Sequence, residues 1–341
     1  MAATTATLPL PTLPDEVSIH TQEIFPRQGQ VTMKTPPRSH PLTATLLPAV
    51  EEYFLEKWPF PSDSARATFK KADLALFTCL CMPSADDDRI ELACRANNVL
   101  FIMDDIMDNW SLEKARSFYS IFEGLVWGTH GELSSPLETV VSDLFASIRA
   151  LDTPTSRLGH EFTDGVCAWF RAAVSNTRTS CDTTSLDQYL KYRIIDAGCW
   201  LTISLMLWSM QLPVPDAIRE LPSVHELEIK ALYQGSLVND VYSYRRELSE
   251  AKRLGADKVG GIMVNAVTVV KNEKNMDDGE ALAWLEEHIG ELEREFEEVA
   301  VSVVEQFEGE ERKLVGTYAV ALREMMVGNW EWSRVCGRYN F

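Results

Sequence analysis

No proline occurs after Pro222, whereas residues 1–41 hold seven of the sixteen in the chain. Proline removes a backbone donor and is excluded from helix interiors. The last third of the chain is therefore open to long helices, and the first forty residues are largely closed to them. Apolar positions recur at three- and four-residue spacing over 43–57, 65–80, 87–109, 111–128, 136–150, 155–175, 184–210, 224–250, 257–270, 279–308 and 311–333, the period of a helix with one buried face. PSDS, PSADD, GTHGELSSP, SNTRTSCDTT and NEKNMDD punctuate these stretches. No alternating strand block interrupts them, and no glycine-rich nucleotide loop follows a strand. The expectation is an all-α fold, one helical domain over 42–341. A Pro-rich tail or strap over 1–41, with a polyproline-like path, precedes it. The end of that strap, TPPRSHPL, is expected to pack on the body.

Composition narrows the function. Asp and Glu outnumber Lys and Arg by 51 to 32, a formal charge of −19, which opposes nucleic acid and anionic membrane surfaces as partners. An anionic substrate would then need local arginine, lysine or a metal ion. The seven cysteines are odd in number, and Cys79 and Cys81 have no second close pair or neighbouring histidine. They fit neither a disulfide framework nor a structural zinc site and read as buried small hydrophobes in a reduced compartment. No apolar run is long enough for a membrane span. The opening MAATTATLPLPTLPDE has neither a basic leader nor an arginine-rich transit helix, so a cytoplasmic protein is expected. Asp86, Asp87 and Asp88 read as the cap and first turn of a helix.

Two segments carry chemistry. In VLFIMDDIMDNW, residues 99–110, Asp104 and Asp108 share a helix face inside an apolar run, with Phe101 one turn before Asp104. Carboxylates grouped in apolar surroundings repel and are costly to desolvate. A hard divalent cation removes that penalty, although a helix-end cap or a solvated acidic patch reads equally well from this motif alone. In SLVNDVYSYRRELSE, residues 236–250, Asn239, Ser243 and Glu247 fall at i, i+4 and i+8 and present three kinds of oxygen ligand to one side. Asp240 points off that face, toward a neighbouring helix.

Together these segments resemble the motifs of class I terpene synthases. DDIMD at 104–108 is similar to their aspartate-rich motif, and NDVYSYRRE at 239–247 to their NSE motif, with Arg246 at its basic position. Arg193 stands where microbial members carry a diphosphate-sensing arginine. It is followed by Asp196 at the linker position and Ala197–Gly198 at the effector position, where a helix break commonly exposes a carbonyl. The closing NWEWSRVCGRY resembles the family's terminal Arg-Tyr pair, here Arg338 and Tyr339, with Trp332 at an aromatic cavity position.

The resemblance implies the class I terpenoid synthase helical bundle and Mg²⁺-dependent ionisation and cyclisation of an isoprenoid diphosphate. Farnesyl diphosphate is favoured over geranyl and geranylgeranyl diphosphate. It also implies three Mg²⁺ ions, replaceable by Mn²⁺, on Asp104, Asp108, Asn239, Ser243 and Glu247. Arg193, Arg246, Arg338 and Tyr339 would grip the diphosphate, while Phe77, Phe101 and Trp332 would face the hydrocarbon and stabilise cations. The working unit would be a monomer or a homodimer. A chain-elongating prenyltransferase is disfavoured because the second motif is Asn/Ser/Glu rather than a second aspartate cluster. A helical scaffold that binds metal without turnover is the remaining alternative.

Overall fold

The computed structural model describes residues 35–175, 181–254 and 263–339. In chain order the helices are α1 (Thr43–Lys57), α2 (Asp63–Ala72), α3 (Leu74–Cys81), α4 (Ile90–Asp108), α5 (Leu112–Trp127), α6 (Pro136–Ala150) and α7 (Leu158–Ala173). There follow α8 (Leu186–Asp196), α9 (Cys199–Ser209), α10 (Asp216–Arg219), α11 (Pro222–Leu254), α12 (Ala266–Lys274), α13 (Asp278–Glu305) and α14 (Gly309–Val335). The β structure among the described residues is one isolated bridge between Thr153 and Ser156. The fold is all-α, as the periodicity predicts. No helix among the described residues is long and apolar enough to cross a membrane.

The proline-free third supplies the long helices α11, α13 and α14. Asp277 and Glu280 start α13 with a reciprocal capping box, which satisfies two amides that a helix start otherwise leaves open. Its inner face then runs Ala281, Leu285, Ile289, Leu292, Phe296, Ala300, all buried. Burying each of the larger side chains contributes about 1.5–3 kcal/mol. The acidic ELEREFEEV stretch lies on this helix, with Glu291 and Glu295 exposed and Leu292 and Phe296 inside. Helix α11 packs on both α13 and α14, and α14 packs on α3. All eight residues of α3 are buried, which makes it the central strut of the bundle.

Three predicted helices have other boundaries. The 65–80 stretch is split at Asp73, which adopts the left-handed conformation with φ 48°. The 184–210 stretch is split at Gly198, φ 63°, where an added Cβ would come within 2.9 Å of the Trp169 ring. Glycine meets both demands there: the positive φ and the close approach. The helix expected over 257–270 begins at Ala266, because Asn265 caps it by accepting the Val267 amide at 2.9 Å; residues 255–262 lie outside the described residues. Periodicity reports which face is buried and does not register a one-residue break that keeps that face.

The expected strap falls mostly on residues 1–34, outside the described residues. Its end packs on the body. His40 is 1% exposed, its amide donates to the Cys79 carbonyl at 2.9 Å and its Nε2 lies 2.9 Å from the Ala85 carbonyl oxygen. Arg38 pairs with the buried Glu324 at 2.8 Å. The reading of Asp86–Asp88 as a side-chain cap needs correction. The backbone carbonyl of Asp86 accepts the Arg89 and Ile90 amides, no side chain caps α4, and the Asp87 carboxylate instead sits 3.5 Å from His40. None of the seven cysteines is in a disulfide.

Candidate active site

A cavity of about 240 Å³ opens between α3, α4, α8, α9, α11 and α14. Asp104 and Asp108 line it from α4, Arg193 from α8, and Asn239, Ser243, Arg246 and Glu247 from α11; Arg338 and Tyr339 close in from the C-terminal segment. Phe77, Leu100, Phe101 and Met325 give the same cavity an apolar part. Both sequence motifs and the C-terminal pair therefore meet at one space.

On α4 the three aspartates divide. Asp104 and Asp108 border the cavity, while Asp105 turns to two guanidinium groups. Arg338 grips its carboxylate with two hydrogen bonds of 2.7 Å, and Arg246 adds a third at 3.3 Å. Burial pushes the Asp105 carboxyl up, but the two arginines outweigh it and hold its pKa below the usual carboxylate value. Burial likewise opposes the charge on Arg338, and Asp105 raises its pKa in spite of that. The Arg338 guanidinium also lies 5.4 Å from the centroid of the Phe101 ring. Asp105 thus fastens the C-terminus to α4, and a planar two-bond clasp is a geometry that arginine makes and lysine cannot.

On α11 the oxygen donors are already engaged with one another. The Asn239 side-chain oxygen accepts from Arg193 at 3.0 Å, and its amide nitrogen donates to the Tyr339 hydroxyl at 2.8 Å. Ser243 donates to Glu247 at 2.6 Å, and Asn265 donates to the other Glu247 oxygen at 2.9 Å. Beneath them sits Asp240, fully buried. It accepts from Arg193 Nε at 3.0 Å, from the Ala266 amide at 2.9 Å and from the Tyr189 hydroxyl. Burial drives the Asp240 carboxyl up, and these donors oppose it. Burial also works against the Arg193 charge, but Asp240 and neighbouring acids raise its pKa well above the usual value, so it stays a cation. Asp196 stands 3.7 Å from Arg193.

The break between α8 and α9 also borders the cavity, through Asp196, Ala197 and Gly198. Trp169 secures it by donating its indole N–H to the Asp196 carbonyl at 3.1 Å.

Phe77 and Phe101 border the cavity, in edge contact at 5.3 Å. Trp332 does not. It is fully buried and stands one layer behind, with ring centroids 5.1 Å from Phe77, 5.6 Å from Phe101 and 5.4 Å from Tyr339. Its indole N–H donates to the Asp73 carbonyl at 2.9 Å. The α2–α3 break supplies that acceptor, and the bond draws the ring away from the cavity surface.

Sequence reasoning missed Tyr189, Asn265 and Trp169. Asn265 carried a readable signal, an Asn directly before an apolar helical run. Tyr189 and Trp169 carried none, because their partners are distant in the chain.

Among the described residues no three His, Cys, Asp or Glu side chains form a group that could hold a metal ion. The candidate ligands are split instead between two walls, carboxylates on α4 and a mixed oxygen set on α11. Their donors are all oxygens, which suits a hard divalent cation.

The family model for terpene synthase family 2, C-terminal metal binding, matches residues 95–295. The chain is 33% identical over 310 residues to (+)-aristolochene synthase TS1 of Penicillium expansum, covering 89% of both. It is 33% identical over 308 residues to aristolochene synthase of Aspergillus terreus, covering 89% of this chain and 92% of that one. The crystal structure of aristolochene synthase from Penicillium roqueforti matches the fold with a TM-score of 0.75 at 29% identity, over 89% of this chain and 99% of that one.

Proposed function

The chain belongs to the terpene synthase family, and on that premise we propose that it is a Mg²⁺-dependent sesquiterpene cyclase that ionises and cyclises farnesyl diphosphate. One observation carries the reading. Oxygen donors from two helices and three arginines line a cavity that also has an aromatic wall. A substrate with an anionic head and a long hydrocarbon tail suits such a cavity. The aristolochene synthase relatives support the chain length, since their named product is a sesquiterpene.

The residues fit the ions that this reaction needs. Asp104 and Asp108 would serve from one wall and Asn239, Ser243 and Glu247 from the other, around three Mg²⁺ ions or Mn²⁺ in their place. When bound, such ions neutralise charge on the departing diphosphate. With two acids on α4 and one on α11, the protein alone offers modest negative charge, and substrate oxygens would complete each coordination shell.

Arg193, Arg246, Arg338 and Tyr339 would bind the diphosphate by donating hydrogen bonds to its oxygens. Those bonds strengthen as the C–O bond breaks and charge gathers on the leaving group. Arg193 would then leave Asn239, whose oxygen becomes available as a ligand. Ala197 and Gly198 place the α8–α9 break beside the reacting end. Phe77 and Phe101 present ring faces and edges to the cationic chain and exclude water from it.

The test is incubation of the purified chain with Mg²⁺ and, separately, farnesyl, geranyl and geranylgeranyl diphosphate. Diphosphate release and volatile products are measured with and without EDTA. Metal-dependent release of a cyclic fifteen-carbon product from farnesyl diphosphate is the expected result. Coupling with a second isoprenoid diphosphate would replace the reading with chain elongation. No consumption of any of the three would leave a binding scaffold.

A further inference from the structure

Two of the seven free thiols meet inside the fold. Cys79 on α3 and Cys94 on α4 are fifteen residues apart in the chain, and their Sγ atoms lie 3.8 Å from each other. Disulfide sulfurs stand about 2 Å apart, so side-chain adjustments of about 2 Å close the gap. Both residues are fully buried. Beside them the Asn97 amide donates to the Thr78 hydroxyl at 2.9 Å, which holds α3 and α4 in register around the pair. One buried thiol acts as a small hydrophobe; two in contact have a chemistry that one lacks.

The two thiols are not equivalent. Their shared hydrogen bond lowers the Cys79 pKa against the burial that raises it. The same bond, together with burial, pushes Cys94 well up. Cys79 is thus the sulfur that ionises first, and the thiolate is the reactive form. Cys81, two residues on, is equally buried, and burial alone drives its pKa well up. Cys79 also lies where the chain enters α1. The His40 amide donates to the Cys79 carbonyl at 2.9 Å, and the Thr43 hydroxyl sits beside the Cys79 thiol. Such entry segments open locally at lower free energy than the core helices, and hydrogen peroxide is little larger than water.

We propose that Cys79 and Cys94 form a modification site, at which hydrogen peroxide oxidises the pair to a reversible disulfide that ties α3 to α4. The Cys79 thiolate attacks one peroxide oxygen. An S–O bond forms, the O–O bond breaks, and the departing hydroxide takes up the thiol proton as water. Cys94 then attacks the sulfenic sulfur of Cys79. The S–S bond forms, the S–O bond breaks, and the second hydroxide leaves as water with the Cys94 proton. The sum is two thiols plus peroxide giving one disulfide and two waters, with the sulfurs oxidised and the peroxide reduced. A reducing thiol reverses it by exchange. Helix α3 carries Phe77, and α4 carries Phe101, Asp104 and Asp108. The bond therefore fixes the spacing of the two helices that bear the aromatic wall and the first acidic motif. It stands independently of the cyclase reading.

The experiment treats the reduced, folded full-length chain with hydrogen peroxide, blocks remaining thiols with a maleimide and maps tryptic peptides without reduction. The expected product joins peptide 72–89 to peptide 90–95, with fragmentation placing the bond on Cys79 rather than Cys81. Oxidised protein should unfold about 5 °C above reduced protein, as a loop of this length predicts, and dithiothreitol should remove both the bond and the shift. Cys94→Ala should stop at a Cys79 sulfenic acid that dimedone captures, and Cys79→Ala should leave Cys94 unoxidised. Should a variant fail to fold, the wild-type map and thermal shift decide the matter. Absence of the Cys79–Cys94 peptide, a bond to Cys81 instead, formation only in urea, or an unfolding midpoint unchanged or lowered by oxidation would each overturn the proposal.

Discussion

The two walls of the cavity mouth are built in opposite ways. On α11 the donors are woven into one network, in which Arg193, Asn239 and Tyr339 form a chain over the buried Asp240, and Ser243, Glu247 and Asn265 form a second. On α4 Asp105 cross-links to Arg338 and Arg246, and its side chain is 40% exposed. A network anchored on a fully buried carboxylate fixes positions closely, whereas a carboxylate that reaches solvent, as Asp105 does, can be rehydrated when its arginine partners turn elsewhere. The comparison teaches that the α11 wall is anchored on a buried carboxylate, Asp240, and the α4 wall on one that reaches solvent, Asp105.

If that contrast is real, the walls differ in how much they contribute to stability. Asp240→Ala would leave Arg193 buried without its main counter-charge, and breaking a buried pair costs about 3–5 kcal/mol. Urea unfolding should show a loss of that size, and a loss under about 1 kcal/mol would mean the α11 wall is not preorganised.

A layer below, Trp332→Leu removes the ring that backs Phe77, Phe101 and Tyr339. Large-to-small changes of this kind cost about 2–4 kcal/mol. Because the ring is one layer from the cavity, the product mixture should shift only as Phe77 and Phe101 resettle. A complete product switch with unchanged stability would put Trp332 on the cavity surface after all.

The weakest stability effect is expected on α4. Asp105→Ala leaves the Arg338 side chain, itself only 6% exposed, without its two-bond clasp and should cost about 1.5–3 kcal/mol, less than Asp240→Ala because Asp105 reaches solvent. Limited proteolysis should then cut near the C-terminus severalfold faster than in the wild type, since the chain end is held there by Asp105. Equal cleavage rates would show that the contacts of Arg338 with Phe101 and of Tyr339 with Asn239 and Trp332 hold this segment without Asp105.

How much of this was legible beforehand differs between the walls as well. Asn239, Ser243 and Glu247 could be placed on one face from their spacing, because helix geometry fixes that angle. Spacing also brought Asp104 and Asp108 together and turned Asp240 aside. Depth is not legible: Phe101 and Trp332 are equivalent aromatic candidates in the sequence, and the indole bonds to the Ala72 and Asp73 carbonyls separate them in the fold. The breaks at Asp73 and Gly198 were hidden because both keep the buried face continuous. The link from Arg193 to Asn239 joins residues 46 apart in the chain, and its distance follows from tertiary packing rather than from any local pattern.

The most direct measurement is a crystal structure with Mg²⁺ and inorganic diphosphate bound. The expected result is metal on Asp104 and on the Asn239, Ser243 and Glu247 trio. Arg193 should have moved its hydrogen bond from Asn239 to a diphosphate oxygen, with the Arg193–Asp240 pair retained. Diphosphate bound elsewhere, or metal bound with Arg193 still on Asn239, would contradict the account.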